Sequence, residues 1–305
     1  MDSRDLSFTV SGEYSGYRLD KGISEYYDDI SRSRIAKLIK DGEVTVNGKK
    51  MKPSYVLEED DKVCFTLAAA ELPDIMPEDI PLDILYEDNA VIVVNKPKGM
   101  VVHPAAGHYT GTLVNALMYH CRDLSGINGV LRPGIVHRID KDTTGSLIVC
   151  KNDRAHREIA AQLEVHDIDR RYRAIVWGRF NGEDGTVDLP VGRDRRDRKK
   201  MAVDQNGKRA VTHYRVLESF REHSYIECIL ETGRTHQIRV HMNHIGHPVL
   251  GDEVYGPRKA KVKTYGQTLH AYFIGFRSPD TGKHVEVTAP LPEYFTALLE
   301  KMRNI

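Results

Sequence analysis

Two spacings of apolar residues organise this chain. Between Tyr17 and Asp28, Leu19, Ile23 and Tyr26 recur at helical intervals. Ser31 can cap a second helix, Arg32 to Lys40, whose inner face carries Ile35, Leu38 and Ile39 and which Asp41-Gly42 ends. VTVNGKKM then reads as a strand that reverses at Asn47-Gly48, a dipeptide suited to a tight hairpin, and LEEDDKVCFTL supplies the next strand. These elements make one small module over residues 11–67. The acidic, proline-punctuated stretch AAAELPDIMPEDIP, 68–81, reads as a linker with little structure. Over 82–305 the pattern predicts strands near Asp83–Tyr86, Val91–Asn95, Ser146–Cys150, Tyr172–Val176, Val211–Val216, Tyr225–Leu230 and Ala271–Phe276. It predicts helices near Thr112–His120, Asp153–Leu163 and Pro292–Met302. Strands often follow one another with no helix between them, unlike the alternation of a doubly wound parallel sheet. The expected class is therefore α+β: a small N-terminal αβ module joined to a larger mixed, mostly antiparallel β-sheet domain flanked by helices.

Composition adds little to that picture, with 40% hydrophobic and 29% charged residues as in ordinary globular proteins. No apolar run approaches the ~18 residues that span a bilayer, and MDSRDLSFTV lacks the apolar core of a signal peptide. A cytoplasmic protein without membrane contact is expected. Cys64, Cys121, Cys150 and Cys228 form no CxxC pair and read as reduced thiols. Charge says more. The net charge is zero, which taken alone argues against nucleic acid. The charges are segregated, however. Seven cations and two acids lie from Ser31 to Lys52, and seven acids with no cation from Glu71 to Asp88. Six cations lie from Arg193 to Lys200, and four from Arg258 to Lys263. Such blocks make local positive surfaces on a neutral molecule. On the Arg32–Lys40 helix, Arg34, Lys37 and Lys40 stay off the apolar face, a cationic stripe suited to phosphates.

Four segments carry candidate chemistry. HRIDKDTTG, His137 to Gly145, sets two cations, His137 and Arg138, before Asp140 on a loop between apolar runs. Loops held by a sheet are where reactive groups tend to sit, although Asp140 in a structural ion pair fits the same residues. NKPKGMVVHP holds Lys96, Lys98 and His103 on a Pro/Gly turn that could approach a phosphodiester. In RRYRAIVWG, strand periodicity puts Tyr172, Ala174 and Val176 on one face and Arg171 and Arg173 on the other. GRTHQIRVHMNHIGHPVLGDEVYG, read as a helix from Thr235, gathers Thr235, Arg239 and Met242, and a partly buried Arg239 wants a carboxylate. His236, His241, His244 and His247 raise the question of zinc. HExxH is absent and one helix does not place all four on a face, so no metal site is expected. One aspartate among arginines lacks the second carboxylate of glycoside hydrolysis, and P-loop and GxSxG patterns are missing.

SRSRIAKLIKDGEVTVNGKKMKPSYVLEEDDKV resembles the S4 RNA-binding domain. The four later segments, in this order, resemble the RluA-type family of RNA pseudouridine synthases over about Leu82 to Met302. Joined to the S4 module, they are similar to its large-subunit ribosomal RNA pseudouridine synthase D subgroup. Ile139 for a common leucine and Arg171 beside the tyrosine are small departures. The resemblance implies Asp140 as catalytic aspartate, Arg138 filling the gap left by an extruded uridine, Tyr172 stacking on the uracil, and Arg239 paired with Asp140. It implies RNA as partner, a 23S-type ribosomal RNA or pre-ribosomal particle. Such an isomerisation moves no electrons and consumes no water, so no cofactor is expected, and a monomer is the default for an RNA-bound enzyme. RNA contacts are expected from Arg32, Arg34, Lys37, Lys40, Lys49, Lys96, Lys98, His103, His137, Arg193, Arg196 and Lys199. The alternative is a non-catalytic RNA-binding factor of ribosome assembly.

Overall fold

The structure, a computed structural model, describes residues 4–27, 30, 32–67, 75–104, 109–121, 124–127, 132–194, 197, 200–257, 264 and 266–304. It divides into two units, Met1–Leu72 and Pro73–Ile305.

The first unit runs β1 (Arg4–Thr9), α1 (Leu19–Tyr26), α2 (Arg32–Asp41), β2 (Val44–Val46), β3 (Lys49–Lys50) and β4 (Lys62–Leu67). Its antiparallel sheet has the order β1-β4-β2-β3. Leu19, Ile23, Ile35 and Ile39 pack on Phe8, Val44, Val46, Val63 and Phe65, which is why the helical and alternating spacings coexist in so short a segment. Asn47 and Gly48 take φ of 52° and 74°, as the two-residue hairpin turn requires. Strand β1 lies ahead of the expected start of the module. Its partner β4 is more than fifty residues away in sequence (Arg4 faces Leu67), a pairing that local pattern does not announce. Ser31, the expected cap of α2, lies outside the described residues.

The second unit opens with β5 (Ile84–Glu87), β6 (Val91–Lys96), α3 (Leu113–His120), β7 (Thr144–Cys150), α4 (Asp153–Glu164) and β8 (Asp169–Trp177). Five short or paired strands follow: β9 (Asp184–Asp188), β10 (Val191–Arg193), β11 (Met201–Val203), β12 (Val211–Ser219) and β13 (His223–Leu230). Helix α5 (Gln237–His244), β14 (Leu269–Arg277), β15 (His284–Thr288) and α6 (Glu293–Arg303) complete it. Nine strands form one sheet in the order β5-β6-β7-β14-β8-β13-β12-β9, with β15 also on β14. Every pairing is antiparallel except β7 with β14, so the mixed, mostly antiparallel sheet is as expected.

Alternation sorts the helices onto two faces. Leu147, Ala174 and Val176 pack with α3 and α5 residues, whereas Ile148 packs with α4 and Ile175 with α6. The α3/α5 face carries the site. The loop that holds Asp140 enters β7 at the centre of the sheet, where β7 runs parallel to β14 (Gly145 opposite Ala271). A Cβ at Gly145, whose φ is +106°, would stand 2.2 Å from the Ala271 carbonyl oxygen, so only glycine permits this approach. Ala271 in turn faces Tyr172 on β8, and the three strands thereby bring the Asp140 loop and Tyr172 onto one face.

Two expectations need correction. The stretch 75–80 forms no helix or strand, in line with little structure, but it belongs to the second unit and is anchored there rather than free as a linker: Ile75 is buried in the core, and the Asn115 amide donates to the Met76 carbonyl at 2.8 Å. The Glu78 carboxylate accepts the Gly111 N–H at 3.0 Å. Proline and acidic content hid one buried isoleucine and two polar anchors. The helix expected from Thr235 starts at Gln237, because His236 takes a left-handed φ of 57° just before it.

Candidate active site

Arg239, in the first turn of α5, is the hub. Its Nη1 donates to Asp140 Oδ2 at 2.7 Å, and its Nε and Nη2 donate to Asp252 Oδ2 and Oδ1 at 2.7 and 2.9 Å. Asp252 is held in turn by the Val254 and Tyr255 N–H groups at 2.9 and 3.0 Å. The side chains of Asp252 and Arg239 are 0% and 5% exposed, that of Asp140 is 18% exposed, so Asp140 is the carboxylate that meets solvent. Burial works against the charged guanidinium, but the bonds to Asp252 and the field of Asp140 outweigh it and hold Arg239 above its ordinary range. Strained αL backbone at His236 turns the chain into α5. The Tyr255 hydroxyl accepts from Met201 N–H at 2.9 Å and reaches His236 Nδ1 at 2.8 Å. His236 Nε2 lies 3.7 Å from Asp140 Oδ1. Burial keeps His236 below the usual imidazole range, against the pull of Asp140.

Asp140, Arg138, Tyr172 and Arg239 all line one recess of about 50 Å³, closed by Ile139, Leu230, Ile238 and Leu269. A wider cleft of about 490 Å³ shares Arg138, Asp140, Tyr172, Leu230, Arg234 and His236 with it. Arg138 is exposed, whereas Tyr172 is 8% exposed. Burial, and less so Asp140, push the Tyr172 phenol up, opposed by Arg170, so it stays protonated at neutral pH. An anion held by a buried cation, a neutral phenol and an exposed guanidinium thus converge on an apolar-walled recess. Asp252, Tyr255 and Arg234 were not anticipated, and His236 was raised only for zinc. The demand of a buried arginine for a carboxylate was visible, but not that it would take two.

Four candidates for RNA contact do something else. Lys96 is 0% exposed, and its ammonium donates to the Pro97, Met100 and Lys141 carbonyls at 2.8, 2.9 and 2.9 Å. Three donors are thus satisfied internally, tying the Asn95–Met100 turn to the Asp140 loop. Lys98 donates to the Thr264 carbonyl at 2.8 Å and lies 4.0 Å over the Tyr294 ring. His103 is 6% exposed, and burial, then Arg138 and Arg132, push it down to about 4. His137 Nε2 accepts the Ile148 N–H at 3.0 Å, and burial, then Arg170, push it down to about 3, so it is no cation.

Lys96 makes pH a test of this tie. Burial pulls it down to about 7, with Asp142 and Asp140 opposing. Between pH 7 and 10.5 the unfolded chain binds a proton that the folded chain does not, so stability rises with pH across that window and is lost again as pH falls through 7. Lys96→Met should abolish that rise and, by leaving buried carbonyls unmet, cost about 1–3 kcal/mol at neutral pH. Denaturant titrations on both sides of pH 7 measure both effects. A variant as stable as the parent, with the same pH slope, would refute the role.

In the first unit Arg34, Lys37 and Lys40 of α2 and Lys49 of β3 are exposed. Arg32 instead forks onto the buried Asp20 at 2.9 and 3.1 Å. Arg193 is exposed at the end of β10, and Arg196 and Lys199 lie outside the described residues. The histidines raised for zinc look different ways: His241 to Thr212 and the Leu189 carbonyl, His247 to the Trp177 carbonyl, His236 to Tyr255. Elsewhere Glu87, His120 and Cys121 bring ligand atoms within 4.8 Å of one another, but the Glu87 oxygens already engage Lys151 and His120 at 2.8 and 3.3 Å. Among the described residues no helix is long and apolar enough to cross a membrane.

Comparison with known proteins bears on the family and the fold. The profile of the S4 domain matches residues 18–63, and that of the RNA pseudouridylate synthase family matches residues 90–244. An uncharacterized RNA pseudouridine synthase of Bacillus subtilis (strain 168) is 53% identical over 299 residues, 98% of this chain and 98% of that one. The ribosomal large subunit pseudouridine synthase D of Zymomonas mobilis subsp. mobilis is 48% identical over 309 residues, 96% of each. The solved structure titled Human RNA Pseudouridylate Synthase Domain Containing 1 has the same fold, with a TM-score of 0.58 at 24% identity over 75% of this chain and 97% of that one. With an S4 domain preceding the sheet that presents Asp140, this chain belongs to the RNA pseudouridylate synthase family.

Proposed function

We propose that this protein isomerises specific uridines of large-subunit ribosomal RNA, free or in pre-ribosomal particles, to pseudouridine, as a cytoplasmic monomer and with Asp140 at the reacting sugar. The observation that carries the reading is the partly exposed Asp140 carboxylate, held by the buried Arg239 in the recess that Tyr172 and Arg138 also line. Relatives named for the large ribosomal subunit, similar over nearly the whole chain, support the choice of RNA.

The reaction breaks the N1–C1′ bond, turns the base over and joins C5 to C1′, while C5 gives up its proton to solvent and N1 takes one up. Substrate and product have the same atoms, so neither water nor an electron acceptor is consumed. Inside a helix those atoms are out of reach, and flipping the nucleotide costs a few kcal/mol. Arg138, exposed at the cleft, fills the vacated place and offsets that cost. Tyr172 supplies a ring to stack on the uracil and a protonated hydroxyl near the C5 proton. Asp140 attacks C1′, takes a proton from C2′, or stabilises positive charge on the sugar, and each of these needs the anion. Phosphate contacts from α2 and Lys49 of the S4 unit add affinity without sequence choice, which comes from RNA shape.

The test is tritium release from ribosomal RNA labelled at uridine C5. Purified protein should release one tritium per pseudouridine formed in large-subunit RNA. No release from that RNA, with release from another class, would replace the substrate.

A further inference from the structure

Arg170 lies on β8 two residues before Tyr172 and on the same face, and is 7% exposed. Its Nη2 donates to the Glu231 carbonyl at 3.2 Å, while its Nε is buried and has no partner among the described residues. A buried guanidinium ordinarily takes a carboxylate, as Arg239 does twice. Arg170 has none among the described residues, although Asp140 and Glu164 line the same cleft. Burial pulls Arg170 below its ordinary range, opposed by Tyr172, and the repulsion of a second cation, Arg234, adds to the fall. Arg234 anchors its own Nε on the Arg209 carbonyl at 3.0 Å. Gly233 precedes Arg234 in the chain, and a Cβ there would lie 2.5 Å from Arg170 Nη1, so only the absence of a side chain leaves room beside that nitrogen.

We infer that Arg170 and Arg234 form a phosphate subsite in the wide cleft, gripping an RNA phosphodiester next to the uridine held at Asp140. The inference deepens the proposed function and rests on it. A phosphodiester supplies the missing negative charge, and its two free oxygens match the planar fork of a guanidinium. The subsite lies beside the recess and shares Tyr172 with it, so it fixes the backbone of the flipped nucleotide while base and ribose remain movable.

The test uses the full-length protein, an RNA hairpin that supports tritium release, and the variants Arg170→Gln, Arg170→Lys and Arg234→Gln. KM should rise roughly tenfold in each glutamine variant, about 1.4 kcal/mol, with kcat changing far less. The slope of log KM against log salt should become shallower by about 0.7 for the lost phosphate, and Arg170→Lys should keep the parental slope. Hairpins carrying one methylphosphonate at successive positions around the target should bind the parent less well at one position and show no further loss in the glutamine variants. An unchanged salt slope, or a methylphosphonate penalty undiminished in both, would overturn the subsite and leave Arg170 a structural anchor for the Glu231 carbonyl. Filter binding of the same RNAs reads the subsite without catalysis, so absence of tritium release from the parent would defeat the proposed function separately. Arg234 is partly exposed, and its variant keeps the test open should Arg170→Gln fold poorly.

Discussion

Asp140→Asn should lower tritium release from C5-labelled RNA by roughly 10⁴-fold or more, the scale on which removal of a reacting group stops a concerted site. RNA affinity and melting temperature should stay near those of the parent. The asparagine oxygen can still accept from Arg239 Nη1, which sits 2.7 Å from Asp140 Oδ2, so the loop keeps its anchor. What disappears is the charge. Asp140, Arg239 and Asp252 carry two negative charges against one positive in a mostly buried cluster, and neutralising the outer carboxylate leaves Arg239 balanced by Asp252 alone. A structural ion pair predicts the opposite pattern, with stability lost and the rate falling only with the folded fraction. Parallel melts and single-turnover assays separate the two. Release within tenfold of the parent, from protein that binds RNA normally, would remove Asp140 from the chemistry.

The sequence carried the fold through its spacings where partners are close in the chain. α2, β2 and β3 were legible because a helical stripe and an Asn-Gly turn lie within twenty residues. β1, β9, β10, β11 and β15 were not, since each has at most six residues and takes its identity from a partner strand rather than from its own pattern. The site divides similarly. Asp140, Tyr172 and Arg239 were legible as an acid, a ring and a buried cation in unusual segments, and the structure gathers them around one recess. Lys96, Lys98, His103 and His137 misled for one reason: a cation in a motif reads as a ligand for phosphate until its surroundings are known. Buried carbonyls and a backbone N–H occupy three of them, and burial with the nearby Arg138 and Arg132 neutralises His103. Arg170 is the converse, a cation that strand alternation places beside Tyr172 and whose unmet Nε only the packed structure reveals.

Arg239→Met should cost about 3–5 kcal/mol, the usual effect of removing one partner from a buried ion pair. For a unit of this size that is a fall in melting temperature of roughly 10 °C. The Asp252 side chain is 0% exposed, and without the guanidinium its charge is left with only the Val254 and Tyr255 N–H groups for compensation. The double variant Arg239→Met, Asp252→Leu removes both buried charges, and an apolar pair of similar volume should recover most of the lost stability. It should not recover activity, because Asp140 still lacks the donor that orients it. Stability and catalysis therefore part company in the double variant: Asp252 is needed for Arg239, and Arg239 for Asp140. A single variant that melts within a degree or two of the parent would show that Asp252 is compensated by something other than Arg239. A double variant that releases tritium at the parental rate would show that Asp140 finds its geometry without the guanidinium, and the chain of dependence from α5 to the reacting sugar would break at its last link.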